Sequence, residues 1–441
     1  MINEPFNKKL LYLYLLLLGV FGYITRYILN TILSHHLNAW SYGDFSIALK
    51  ILALSSSLAL LGTNTATVRF ISSYLQDKKT LQIKSFIEWN VKLVRFSFCI
   101  CLLIGGLSIA LMILLHMWSW KDIRTYHLSI YMLWVTPVAS TFMLLSSYLL
   151  CAQYYVLNAF MQNSKSILSI LLFFVMIFAL KMPINDYSLG LMLLLVYVAF
   201  VVIELIFIAF RLPVIAKLFF DALSLKNNAV IHQDWFNVSC RLALNGVLCS
   251  FIFSCDLIII QLIDPIKANV GLYAVALTIA SCLFVIPQNI YTFLKAQVSS
   301  LAGTVEGNRE LEQNIKYLNR ISYLITLVLA SMLIVFSKTF LGHFGLFYQQ
   351  AQSVLLILTV GFSIGASVQP ATAIIAYSGN EAVLLKISVT ELTLIIVLGI
   401  IGTYFWGYVG TAIATAFTII VKALAFHIAA YRKVGIKTFI I

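Results

Sequence analysis

The sequence predicts an all-α integral membrane protein of about twelve transmembrane helices, built as six plus six. Three observations predict it: the composition, a series of long apolar runs, and an internal repeat. Of 441 residues, 61% are hydrophobic and only 10% charged, with a mean hydropathy of +0.98. An ordinary soluble domain carries about a quarter charged residues. A helix that crosses a bilayer needs roughly 17–25 apolar residues. Twelve such runs follow one another, at about 10–33, 44–66, 93–117, 128–151, 164–181, 188–210, 238–263, 270–294, 321–341, 353–376, 384–404 and 408–430. The first follows Lys8 and Lys9, is too long for the apolar region of a signal peptide and has no small-residue cleavage site after it, so it reads as a retained helix.

The formal net charge of +13 raises the question of a nucleic-acid partner, and the placement of the charges answers against it. With the N-terminus inside, the inner loops, tails and helix ends hold twenty Lys and Arg residues, Lys165 among them, and the outer loops five. That asymmetry predicts both termini in the cytoplasm, with anionic headgroups as partners of the inner basic residues. All seven cysteines fall in apolar runs, so no disulfide framework is expected. No His/Cys cluster has metal-ligand spacing, and no metal or cofactor is expected. His35-His36 reads as a surface pair in an outer loop.

The longest loop, roughly 211–237, contains LPVIAKLFFDALSLKNN, whose apolar positions suit a helix lying at the inner membrane interface. It divides the chain into an N-terminal lobe at 1–211, a cytoplasmic interfacial linker at 212–237 and a C-terminal lobe at 238–441. The halves echo each other: YGDFSIALKILALSSSLALL at 42–61 matches VGLYAVALTIASCLFVIPQN at 270–289. Gly43 pairs with Gly271, Phe45 with Tyr273, and Ala48-Leu49 with Ala276-Leu277, without a gap. Six crossings separate the matched helices, so they run in the same direction, as parallel transporter repeats do.

Charges inside the spans are the candidate functional residues, because each costs about 2.5–3.5 kcal/mol at a helix centre and belongs against protein or water. They are Arg26, Lys50, Glu204, Asp256, Glu391 and Lys422, with Arg69 and Lys295 nearer the inner ends. Helical spacing sorts them. Gly19, Gly22, Arg26 and Asn30 share a face of the first helix; Ser46, Lys50, Ser57, Asn64 and Thr67 form a stripe on the second. Arg241, Asn245, Cys249 and Asp256 share a face of the seventh, and Thr278, Ser281, Gln288, Thr292, Lys295 and Ser299 one of the eighth. Arg26 lies about 10 Å below the outer end of its run, with Lys50 and Asp256 at nearly the same depth. These positions outline a cavity with an outer charged layer and an inner basic one. Asp256 is expected within reach of Arg26 or Lys50. Glu391 and Lys422, on adjacent helices, read as structural glue, and Glu204 has no assigned partner. Pro287 and Pro370 interrupt the eighth and tenth runs, where a missing backbone donor permits a bend.

Several motifs in order carry a resemblance: YGDFSIAL with TATVRFISSY, the seventh-helix Asp followed by VGLYAVA, KTFLGHFGLFYQQAQSVLLIL with YSGNEAVLLK, then GYVGTAIATAF and YRKVGIK. Over essentially the whole chain, the sequence resembles the Wzx-type flippases of lipid-linked oligosaccharides, in the polysaccharide-transporter branch of the multidrug/oligosaccharidyl-lipid/polysaccharide exporter superfamily. The resemblance implies two six-helix lobes around a central, mainly cationic cavity lined by the first two helices of each half, and alternating access. It implies a bacterial inner-membrane protein that moves undecaprenyl-pyrophosphate-linked repeat units to the outer leaflet, alongside polysaccharide polymerase or ligase machinery. Arg26, Lys50, Asn64, Arg69, Asp256, Gln288 and Lys295 are the expected cavity residues, with Asp256 an alternative site for H⁺ or Na⁺ coupling. Two rivals stand beside this reading. One is a drug antiporter of the same superfamily, which favours an acidic cavity. The other is a polysaccharide polymerase or ligase, which needs an outer loop longer than the ten or so residues around Trp118 to His127.

Overall fold

In a computed structural model, the chain is described over residues 8–76, 80–117, 127–223, 233–288, 305–367, 371–372, 374–375 and 381–435. Every regular element among these residues is helical: α1 (Lys8–His36), α2 (Ala39–Leu60), α3 (Thr63–Gln76), α4 (Thr80–Met117), α5 (His127–Cys151), α6 (Tyr155–Phe174), α7 (Asp186–Arg211), α8 (Pro213–Leu223), α9 (Gln233–Ile263), α10 (Ala268–Ala280), α11 (Val305–Val335), α12 (Ser337–Gly342), α13 (Gln352–Ala366) and α14 (Glu381–Val434). Among the described residues, eleven helical stretches are long and apolar enough to cross a membrane. The last, Ala382–Val434, is 53 residues long, about 80 Å if straight and far more than one crossing requires. It folds back at Trp406 and Gly407, where Gly407 takes a φ of +58°. Beyond the fold Gly402 and Gly410 touch backbone to backbone, and Thr403 Oγ1 lies 2.7 Å from Thr411 Oγ1. A side chain at Gly410 would strike the Gly402 carbonyl, so the two arms close only with glycine there. Counting both arms gives twelve spans among the described residues.

The chain forms two compact units, Asp44–Ser250 and Met1–Gly43 with Phe251–Ile441. Their limits do not coincide with the division at 212–237: α1 packs with the later helices, and α8 with the earlier ones.

In the unit 44–250, α5 packs against α3, α4 and α7. Its inner core is aromatic, with Phe86, Trp89, Tyr148 and Trp235 buried together and the Trp235 indole donating to Tyr74 at 3.0 Å. The second apolar run is broken rather than continuous. Leu61 and Gly62 both have positive φ, 46° and 73°, because the chain there meets the backbone of Ser239 and Ala243 too closely for a side chain at Gly62. The break resets the helical phase. Thr67, aligned by spacing with Lys50 and Asn64, is fully buried and accepts from Asn90 Nδ2 at 2.7 Å. The fifth span begins at Tyr155 and ends in a wide turn, Val175–Ala179, instead of starting near 164. Asn158, Gln162, Asn163, Ser164 and Lys165 lower the local hydropathy without ending the helix; Lys165 is therefore inside a span and not in an inner loop. From the linker, α8 buries Ile215, Ala216 and Phe219 against α4 and α7.

In the other unit, α10 is the most buried span, packed on α13 with contacts to α1 and α14. The first turn of α10 meets the start of α2, where the repeat-matched glycines Gly43 and Gly271 lie so close that a Cβ on Gly43 would stand 3.0 Å from the Gly271 nitrogen. The C-terminal half of α1 is held to α10 and to the 340–344 segment. Tyr23 donates to the Ile279 carbonyl at 3.1 Å, Tyr27 to that of Phe340 at 3.3 Å, and Ser34 to that of Phe344 at 3.1 Å. After Ala280 the chain tightens into a 3₁₀ turn, Ser281–Phe284. Pro287 explains it, since its ring displaces the carbonyl four residues earlier, that of Leu283. Pro370 lies outside the described residues.

Candidate functional site

Asp256 is 3% exposed, on the face of α9 turned toward α10 and α14. Tyr273 of α10 donates its hydroxyl to Asp256 Oδ2 at 3.0 Å, and the same hydroxyl lies 3.2 Å from Thr415 Oγ1 on α14. The three residues tie three helices together. Beside them is a cavity of about 60 Å³, lined by Asp256, Thr415, Thr418, Glu391 and Lys422 among apolar side chains such as Phe284 and Phe362. One water needs about 10–15 Å³ of such space, so the cavity takes a few. Lys422 Nζ lies 2.9 Å from Glu391 Oε2, an ion pair between the two arms of α14. A buried carboxylate without its ammonium is destabilising by several kcal/mol, so the fold-back at Gly407 and this pair support one another.

The sequence placed Asp256 in an outer charged layer with Arg26 or Lys50. The structure brings it together with Tyr273 and Thr415, and with the cavity that also meets Glu391 and Lys422. Arg26 is exposed on α1, ten residues or about 15 Å from the helix end at His36. Its neighbour Asn30 donates to the Arg26 carbonyl and accepts from Tyr42 at 2.9 Å. Lys50 is half-buried on α2 in the unit 44–250, and Asn64 half-buried on α3 beyond the break. Arg69 lies on α3, with its side chain outside the described residues, as is Lys295 altogether. Gln288 is exposed at the end of a described segment.

Sequence reasoning did not single out Tyr273, Thr415 and Thr418, and its reading of Glu391 and Lys422 as structural glue fits the ion pair between the two arms. One signal was present: Thr411, Thr415, Thr418 and Lys422 are spaced four, three and four apart, a polar stripe on an otherwise apolar helix. Glu204 also gains partners. It is fully buried on α7, where its Oε1 accepts from Ser146 of α5 at 2.7 Å. Gln162 donates to the Ser146 hydroxyl at 3.1 Å and accepts from Lys165 at 3.0 Å. Lys165 also sits over the Phe142 ring, 4.6 Å from its centroid.

No family model matches the chain, and no curated protein matches it either. Solved structures do. The Vibrio cholerae MATE transporter VcmN, in a mutant form, aligns with a TM-score of 0.69 at 14% identity, over 96% of this chain and 95% of its own. A MOP superfamily transporter from Pyrococcus furiosus, described by the reverse polarity of its binding pocket, aligns with a TM-score of 0.68 at 16% identity, over 96% and 95%. The outward-facing conformation of a multidrug resistance MATE family transporter of that superfamily aligns with a TM-score of 0.67 at 15% identity, over 96% and 95%. At such identities the likeness is one of architecture: the chain has the all-helical fold of the MATE transporters.

Proposed function

We propose that the protein is a flippase of the bacterial inner membrane, with both termini cytoplasmic, moving undecaprenyl-pyrophosphate-linked oligosaccharide repeat units to the outer leaflet by alternating access. The observation that carries this is the exposed guanidinium of Arg26 about 15 Å inside the end of a membrane-spanning helix. A charge at that depth belongs against water or an anion and not lipid tails. A pyrophosphate is such an anion, and an arginine fork binds its oxygens in pairs. Lys50, Arg69 and Lys295 would add to the attraction, Asn64 and Gln288 would contact sugar hydroxyls, and the polyprenyl tail would stay in the bilayer. The lobes 1–211 and 238–441 are the proposed moving bodies, with 212–237 between them. Opening toward the outside then requires the contacts of α1 with α10 and the 340–344 segment to break.

Two features of the fold relatives support the mechanism. The same architecture has been seen both inward-facing and outward-facing in multidrug resistance MATE transporters. It also tolerates a binding pocket of reverse polarity, read in that relative as a sign of different function. Outward movement of an anion gains about 2.3 kcal/mol per charge per 100 mV, inside negative. Coupling through H⁺ or Na⁺ at Asp256 is the alternative drive.

The test is a deletion strain with wild type or Arg26→Ala restored at equal membrane levels. Loss of surface polysaccharide with complete repeat units trapped on the inner leaflet, rescued by wild type alone, is the expected result. Normal export by Arg26→Ala would remove the assignment. The drug-antiporter reading is favoured by the multidrug relatives and by the buried acids Asp256 and Glu391. It predicts drug hypersensitivity of the deletion strain with surface polymer intact.

A further inference from the structure

We infer that Lys422 is the resident cation of the Asp256 cavity and sets its ion specificity, closing it to free alkali cations. Three observations meet here. Among the described residues lining the cavity, the charged side chains are Asp256, Glu391 and Lys422. Asp256 and Glu391 are 3% and 4% exposed, so neither carboxylate is compensated by bulk water. The ammonium of Lys422 stands 2.9 Å from Glu391, contact distance for a monovalent cation on a carboxylate oxygen.

A cavity with two buried carboxylates attracts a cation from either side of the membrane. Here the chain supplies one itself, on a tether. The arms of α14 carry both members of the pair, so the ammonium is delivered whenever the hairpin at Gly407 closes. Space does not keep an alkali cation out, because about 60 Å³ admits a few water-sized molecules. Electrostatics does: Lys422 already neutralises Glu391, and its charge on the wall of the same cavity repels an incoming Na⁺ in a medium that screens weakly. Tyr273 opposes entry as well, since its O–H is already directed at Asp256 Oδ2. An ion there would have to displace that hydrogen bond before reaching the oxygen.

The inference goes beyond the flippase reading by choosing among its possible drives, and it is tested without cargo, so the two fail separately. Full-length protein in detergent is titrated with ²²Na⁺ against choline at constant ionic strength, and its melting temperature is followed with Na⁺ and with methylammonium. Wild type should bind no saturable ²²Na⁺ and show no Na⁺-specific shift in melting. Lys422→Ala should gain saturable ²²Na⁺ binding, at least tenfold above wild type, and a melting temperature that rises with either cation. Adding Asp256→Asn to Lys422→Ala should reduce the gained binding. Saturable Na⁺ binding by wild type that Asp256→Asn removes would overturn the inference. So would a folded Lys422→Ala protein that binds no more Na⁺ than wild type. Where Lys422→Ala does not fold, Lys422→Gln takes its place. If both fail in Na⁺ and in methylammonium alike, an added cation does not substitute for the ammonium, and the inference falls.

Discussion

Each unit buries an acid on one stretch of helix and sets a half-buried lysine on another, but they join them differently. In the later unit, Glu391 and Lys422 touch directly across a hairpin, beside a cavity that also meets Asp256. In the unit 44–250, a chain of hydrogen bonds links Glu204 to Lys165 through Ser146 and Gln162, and Lys165 leans on the Phe142 ring. The first arrangement concentrates opposite charges at one point, so that losing either exposes the full desolvation cost of the other. The second spreads the cost over three hydrogen bonds, with two neutral side chains between the charged ends. A direct pair is an electrostatic lock; a relay is a packing device that happens to end in charges.

The contrast is broken most directly at the lysines. Lys422→Met strands Glu391 and should cost about 3–5 kcal/mol, read as a large fall in the midpoint of thermal unfolding in detergent. Neutralising both partners, Glu391→Gln with Lys422→Met, should recover most of that loss, because no charge is left buried alone; failure to recover would mean that the pair packs more than it charges. In the relay, the sensitive member is the hydroxyl. Ser146→Ala removes the donor to Glu204 and the acceptor of Gln162 together, an expected loss of about 2 kcal/mol, measured in the same way. Tyr273→Phe should cost less, about 1 kcal/mol, and sharpens the picture of Asp256 as a group with more than one partner. The smallest effect belongs to Lys165→Met, at about 0.5–1 kcal/mol, the worth of a cation–π contact. If Lys165→Met matched Lys422→Met, the relay would be carrying charge as the direct pair does, and the distinction would fail.

The helices and their number were legible from composition because hydropathy is a local property, averaged over twenty residues at a time. The mismatches fall where local averaging misleads. Gln162, Asn163 and Lys165 looked like loop because they are polar, yet α6 runs through them: Gln162 and Lys165 join the Ser146–Glu204 chain, and Asn163 bonds back to the Ala159 carbonyl. The second span looked continuous because nothing in its apolar pattern marks a break at Leu61 and Gly62; the close backbone of Ser239 and Ala243 imposes it. Of the candidate cavity residues, Asp256 was identifiable as a costly buried acid, whereas its partnership with Tyr273 was not. That contact joins residues seventeen positions apart, on two helices whose relative rotation no periodicity specifies.

What the sequence determined by itself is the class and the ration of charge: about twelve apolar helices, a repeat that pairs Gly43 with Gly271, and a short set of intramembrane ions. The helices and the scarcity of ions follow from the free energy of placing a residue in hydrocarbon, paid one residue at a time; the repeat follows from matched residues at a constant offset. The tertiary structure alone decided which ions meet: that Lys422 faces Glu391 beside Asp256, that Ser146 and Gln162 link Glu204 to Lys165, and that Arg26 stays exposed. Those outcomes depend on helix rotation and on breaks at Gly62 and Gly407, where close backbone approach sets the geometry and hydrophobicity is silent.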